Sequence, residues 1–136
     1  DAKAFCRKTG LSVGQLEELL QARLLLPLVD GRFDAQDVGM GRMYLEAFNF
    51  GIRTRDLSYY AELGETIVDR EMALRNRMTG RLPYQNDAAA TIQMVKNARM
   101  CRAYVIDRLF QHRVAAMKDL KDAPPLEREE PEPWLD

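Results

Sequence analysis

The side chains able to do acid–base or covalent chemistry are few, and their spacing does not suit it. The one histidine, His112, sits among Arg108, Gln111 and Arg113 in a helical stretch, where a surface or interface role fits better than a general base. Cys6 and Cys101 lie far apart with no metal-ligand spacing. The many Asp and Glu residues form no hydrolytic pair. There is no glycine-rich phosphate loop, serine elbow or Cys-x-x-Cys. The sequence therefore predicts no enzyme, no metal and no cofactor. What remains is charge recognition: Lys3, Arg7, Lys8, Arg32, Arg53 and Arg55 could gather into a patch that attracts phosphates.

The elements that must carry those cations can be read in order. Phe5-Cys6-Arg7-Lys8-Thr9-Gly10 closes a short helix on a glycine, where a left-handed cap carries no Cβ penalty. Ser12 opens the next helix as its N-cap, with Leu16, Leu19 and Leu20 at helical spacing. Residues 4–27 thus read as two helices joined by a tight turn. This is the skeleton of a helix-turn-helix, whose second helix is normally offered to the DNA major groove. Leu28-Val29-Asp30-Gly31-Arg32-Phe33 predicts a small hairpin, because both turn residues tolerate positive φ. Asp34 then caps a helix carrying Val38, Met40, Met43, Tyr44, Leu45 and Phe48; Phe50-Gly51-Ile52 ends it, and Thr54 or Asp56 starts the next. Helix, turn, helix, hairpin, helix is a winged-helix order.

Four short stretches in this region resemble MerR-type transcriptional regulators. They are Lys8-Thr9-Gly10-Leu11-Ser12-Val13, Leu24-Leu25-x-Pro27, Asp30-Gly31-Arg32-Phe33-Asp34-x-x-Asp37-Val38 and Phe50-Gly51-Ile52-x-Thr54-x-Asp56-Leu57. The likeness covers roughly residues 4–75. It implies a winged helix followed by a long helix that pairs antiparallel with its copy in a second subunit. It also implies a DNA-binding regulator. Where that family carries an Arg-Tyr-Tyr run on the second helix, this chain has Glu17, Glu18 and Leu19, and Gly14 replaces an earlier arginine. The wing is shorter, keeping only Arg32 and Phe33. Carboxylates on a face meant for DNA oppose binding to a polyanion.

Beyond the first module, residues 56–79 read as helix, with Leu57, Tyr60, Leu63, Ile67, Met72 and Leu74 as apolar markers. Pro83 breaks the pattern. Asp87 is expected to cap a helix from Ala88 to about Leu120, on the order of 50 Å long. Met94, Ala98, Cys101 and Val105 form one stripe on it, and Ile106, Leu109 and Phe110 take over further on. A stripe this wide predicts burial on two sides, against its own domain and against a partner helix in coiled-coil fashion, rather than completion of a monomeric bundle. Ile92, Val95, Ala98, Cys101, Val105 and Leu109 are the expected dimerisation residues. Cys101 itself reads as a small buried apolar residue. The aromatics Tyr44, Tyr59, Tyr60, Tyr104 and Phe110 read as core, with a flat apolar ligand as the other use for them.

Composition sets the limits. The chain has 136 residues, 46% apolar, and a net charge of −1, enough for one compact domain with an appended oligomerisation helix. No segment suits a membrane span and no secretory signal begins it, although a first residue of Asp suits a start within a longer protein. Unpatterned cysteines and seven methionines point to a reducing cytoplasm. Residues 1–55 balance at +1 and 83–122 at +3, while the Pro- and Glu-rich residues 123–136 reach −4. That tail reads as solvated, with Trp134 the residue able to anchor it in an apolar groove.

The expected fold class is therefore all-α in the main, a winged helix-turn-helix followed by a long C-terminal dimerisation helix. The expected division is 1–79, winged-helix domain; 80–87, connector; 88–122, oligomerisation helix; 123–136, acidic tail. The expected partners are duplex DNA and a second copy of the chain, with no membrane. Gln15 would meet base edges, and Arg7, Lys8, Arg32, Arg53 and Arg55 would meet phosphates. The alternative is a winged helix that has lost its DNA surface and binds protein through Glu17, Glu18, Leu24 and Leu26. Both carboxylates on the groove face would favour that alternative; both turned away would favour DNA.

Overall fold

The computed structural model describes residues 1–80 and 84–117, the side chains of residues 84–86 excepted. It is all-helical, with no strand among the described residues. The helices are α1 (Ala2–Thr9), α2 (Val13–Gln21), α3 (Ala35–Asn49), α4 (Thr54–Leu57), α5 (Tyr59–Thr79) and α6 (Tyr84–Ala115). The chain divides into two compact units, Asp1–Met72 and the remainder from Ala73, so the division falls within α5.

Local capping chemistry sets the first unit. The Asp1 carboxylate accepts from the Ala4 N–H at 2.8 Å and starts α1. Gly10 ends it in the left-handed region at φ 86°, its N–H donating to the Cys6 carbonyl. The buried Thr9 hydroxyl donates to the Phe5 carbonyl at 2.9 Å and accepts from the Leu11 N–H at 3.2 Å, tying the helix end to the turn. Ser12 and Gln15 form a reciprocal capping box on α2, and Asp34 and Asp37 do the same on α3. Ser12, Asp34 and Gly10 thus act as their sequence positions predict.

Phe5, Leu11, Leu16, Leu19, Leu24, Leu25 and Tyr44 form the core of this unit. Phe33 stacks on Phe5, with ring centroids 4.2 Å apart. Each fully buried leucine contributes about 1.5–3 kcal/mol from area removed from water. Gly41 permits the packing of α3 on α1. A Cβ there would lie 2.7 Å from Thr9 Cγ2 and 3.0 Å from Phe5 Cζ.

Four expectations need correction. Around Asp30-Gly31 the chain makes a tight turn and no hairpin strands. The Leu28 N–H donates to the Arg32 carbonyl at 2.9 Å and no ladder extends from it. The Arg32 N–H turns back to the Asp30 carboxylate, and the Asp34 N–H, which the next rung would need, is already bonded to the Asp37 carboxylate. The helix expected over 56–79 is interrupted at Ser58, whose hydroxyl donates back to the Arg55 carbonyl at 2.9 Å and competes with helix continuation. The long helix begins at Tyr84 rather than Ala88, with Asp87 inside its first turn. Asp87 is not a cap: its carboxylate meets the Arg75 guanidinium at 3.2 Å, and Arg75 Nε donates to Thr91 Oγ1. Leu24, expected on the surface, is 8% exposed and belongs to the core. The break at Pro83, the stretch from 118 to Leu120 and the tail with Trp134 lie outside the described residues.

Gly41→Ala should destabilise the first unit by about 1–3 kcal/mol through overpacking against Thr9. Gly39→Ala, on the same helix with nothing within 4 Å of the added Cβ, should stabilise it by about 0.5–1 kcal/mol. Urea midpoints of the two variants check the pair, and equal shifts would contradict the close-packing account.

Candidate nucleic-acid interface

Polar side chains gather on the outward face of α2. Gln15, Glu18 and Gln21 follow one another at three-residue steps, so they share a stripe of the helix. They line an open groove of about 830 Å³ whose opposite wall is Gly51, Ile52, Arg53, Thr54, Arg55 and Ser58, with Ala22 and Phe48 beneath. The opposite wall exists because α3 ends at Asn49 and Gly51 turns the chain at φ 84°. Arg53 then leads into α4, its N–H bonded to the Asp56 carboxylate at 2.8 Å. Arg53 and Arg55 are both exposed. Thr54 bridges the two walls, its hydroxyl donating to Glu18 Oε2 at 3.2 Å.

The far end of α2 is held in register with α3. The Tyr44 hydroxyl donates to the Leu24 carbonyl at 2.6 Å inside the core. Arg23 takes up φ 58°, and the Leu24 and Leu25 N–H groups both return to the Leu19 carbonyl. The Arg23 guanidinium forms an exposed ion pair with Glu65. Burial raises the Tyr44 phenol above its ordinary value of 10.0, with the nearby Tyr60 adding to the effect.

The groove brings together three of the six expected contact residues, Gln15, Arg53 and Arg55. It does not include Arg7, Lys8 or Arg32. Arg7 and Lys8 are exposed in the last turn of α1, and the Lys8 carbonyl accepts from Arg42 Nε. Arg32 is held by its own turn, since Nε meets Asp30 Oδ2 at 2.7 Å and its N–H meets Oδ1. Glu17 is exposed but does not line the groove, so only one of the two carboxylates does. Glu18 and Gln21 were legible as groove residues once Gln15 was chosen, because the three-residue step puts them on its face. Thr54 had no such signal.

The chain matches no protein-family model, no curated protein and no solved structure. Among the described residues, no group of three His, Cys, Asp or Glu could hold a metal ion. No helix among them is long and apolar enough to cross a membrane.

On α6, Ile92 and Val95 are about 60% exposed, and Val105 and Leu109 are exposed as well. Ala98 is half-buried. Cys101, expected as a buried apolar residue, is exposed. Of the five aromatics expected in the core, Tyr44 is buried and Tyr59, Tyr60, Tyr104 and Phe110 are exposed; none lines the groove. Tyr59 and Tyr60 stack on each other at 4.4 Å, and Arg108 sits over the Tyr104 ring at 5.2 Å.

Tyr44→Phe should cost about 1–3 kcal/mol by leaving the buried Leu24 carbonyl short of a donor. The pH dependence has a definite sign. Below pH 10 the phenol is protonated in folded and unfolded chains alike, and its raised folded value carries no penalty. As pH rises past 10 the unfolded chain ionises first and stability falls. Urea titrations from neutral to alkaline pH should show this loss in the parent protein and a shallower one in the variant; parallel curves would contradict it.

Proposed function

We propose that this chain is a DNA-binding transcriptional regulator of the MerR-like helix-turn-helix kind, with a tight turn at Asp30-Gly31 in place of a stranded wing, acting as a dimer through α6. One observation carries the reading: Arg53 and Arg55 share an open groove with the polar stripe of α2. A helix-turn-helix needs this combination, with cations that fix the protein on phosphates beside a helix whose outward side chains reach base edges. The glycine-capped turn between α1 and α2 supplies the rest of the motif. Arg53 and Arg55 take the phosphates, Gln15 takes base edges, and Arg7 and Lys8 supply longer-range attraction. Arg32 contributes less, being bonded to Asp30. The dimer rests on α6, where Ile106 and Phe110 join the exposed apolar residues named above. Pairing of two such helices places two heads on successive half-sites.

A second reading has its own support. Glu18 stands in the groove, and Leu26 is 64% exposed near the end of α2. Both features suit a module that binds protein after losing its DNA surface.

Fluorescence anisotropy with labelled duplex DNA separates the two. Affinity should fall as salt rises, and Arg53→Ala and Arg55→Ala should weaken binding to all sequences. Each variant should also reduce the slope of log K against log salt by about 0.9 for every phosphate it no longer neutralises. Gln15→Ala should mainly blunt sequence discrimination. Absent or salt-independent binding would transfer the reading to the protein-binding module.

Sedimentation equilibrium tests the dimer. The parent chain should run at twice its monomer mass, and the double variant Ile106→Glu with Phe110→Glu should run as a monomer. A monomeric parent would remove the dimer from the proposal.

A further inference from the structure

We infer that Glu18 is a base-reading residue that selects a cytosine in the bound half-site, an inference that rests on the DNA-binding reading above. Glu18 stands between Gln15 and Gln21 on the outward stripe of α2, the position from which a second helix meets base edges. Its carboxylate is held in place. Thr54 Oγ1 donates to Oε2 at 3.2 Å from the opposite wall, leaving Oε1 as an acceptor. A carboxylate can only accept, so it discriminates among base edges by what they donate. Guanine and thymine present acceptors in the major groove and repel it. Adenine offers its N6 donor beside its own N7 acceptor, while cytosine offers its N4 amino group beside its own C5–H, which does not repel a carboxylate.

Gln15 complements this reading. Its side-chain oxygen already accepts from the Ser12 N–H at 2.9 Å, so its NH₂ is the group left to donate. An acceptor and a donor one turn apart suit a G·C-containing step. Arg53 and Arg55 line the same groove, so two cations offset the single carboxylate's repulsion of phosphates. On this account the acidic residue lowers general affinity for DNA and raises selectivity.

The test is in vitro selection from a randomised duplex pool with the full chain, followed by anisotropy on the selected duplex and on duplexes changed at single positions. The parent should select a cytosine at one position of each half-site. Replacing it should weaken binding by about 5- to 150-fold, the range of one good base contact. Glu18→Gln and Glu18→Ala, checked for unchanged helix content by circular dichroism, should lose that preference at that position and keep the others. If both variants retain the preference, or if both strengthen binding to every duplex by the same factor, Glu18 only repels and the inference is overturned while DNA binding stands. If the parent binds no duplex at any salt concentration, both the inference and the reading beneath it fall.

Discussion

The first unit depends on how closely α3 approaches α1. With hydrogen alone at Gly41, the backbone of α3 lies against Thr9 and Phe5 at distances that no side chain would allow. The other contacts of the unit follow from that approach. Phe5 is left with a face on which Phe33 stacks, which fixes where the chain enters α3. One turn beyond Gly41, Tyr44 points its hydroxyl at the Leu24 carbonyl and so holds the end of α2. Gly10 contributes from the other side, since a Cβ there would lie 2.9 Å from Leu45 Cδ2. Two glycines thus permit the close approach of α3 to α1 and of the α1–α2 turn to Leu45.

The groove itself is an electrostatic compromise. Two arginines and one glutamate line it, and the glutamate accepts from a threonine hydroxyl. An exposed ion pair in its place would be worth at most about 1 kcal/mol and would tie up a guanidinium. Arg32 illustrates that situation, spending its Nε on Asp30 within the same turn. Under the DNA-binding proposal, the groove's cations are Arg53 and Arg55 after α3 rather than Arg32 on the turn.

Much of this was legible in the sequence, and the boundary between legible and illegible is physical. Ser12, Asp34 and Gly10 act through neighbours three or four residues away, so their capping roles could be read directly. The Asp30-Gly31 turn is legible too, but its extension into strands depends on where the Arg32 and Asp34 N–H groups go, and both bond to nearby carboxylates. The break at Ser58 turns on which of two local bonds its hydroxyl makes, and residue type alone does not decide that. The closeness of α1 to α3 at Gly41 and the bond from Thr54 to Glu18 join residues more than thirty positions apart, where single-sequence periodicity carries no signal.

The remaining constraint concerns α6. Every residue from Cys101 to Phe110 is exposed, in a helix of 32 residues. Isolated helices draw little stability from propensity and depend on packing of an apolar face. The first turns of α6 are instead tied to α5 by polar contacts, Arg75 with Asp87 and Thr91. Further along, Arg108 over the Tyr104 ring adds about 0.5–1 kcal/mol, the worth of such a pair at an exposed site. Tyr104, Ile106, Leu109 and Phe110 together leave a larger apolar area in water than that pair offsets. Under the proposed dimer this area becomes the interface, and the order of the distal helix becomes linked to subunit concentration by mass action. Two heads would then be coupled through a segment that reaches full helical stability only when paired, which makes half-site spacing a property of the assembly rather than of either chain.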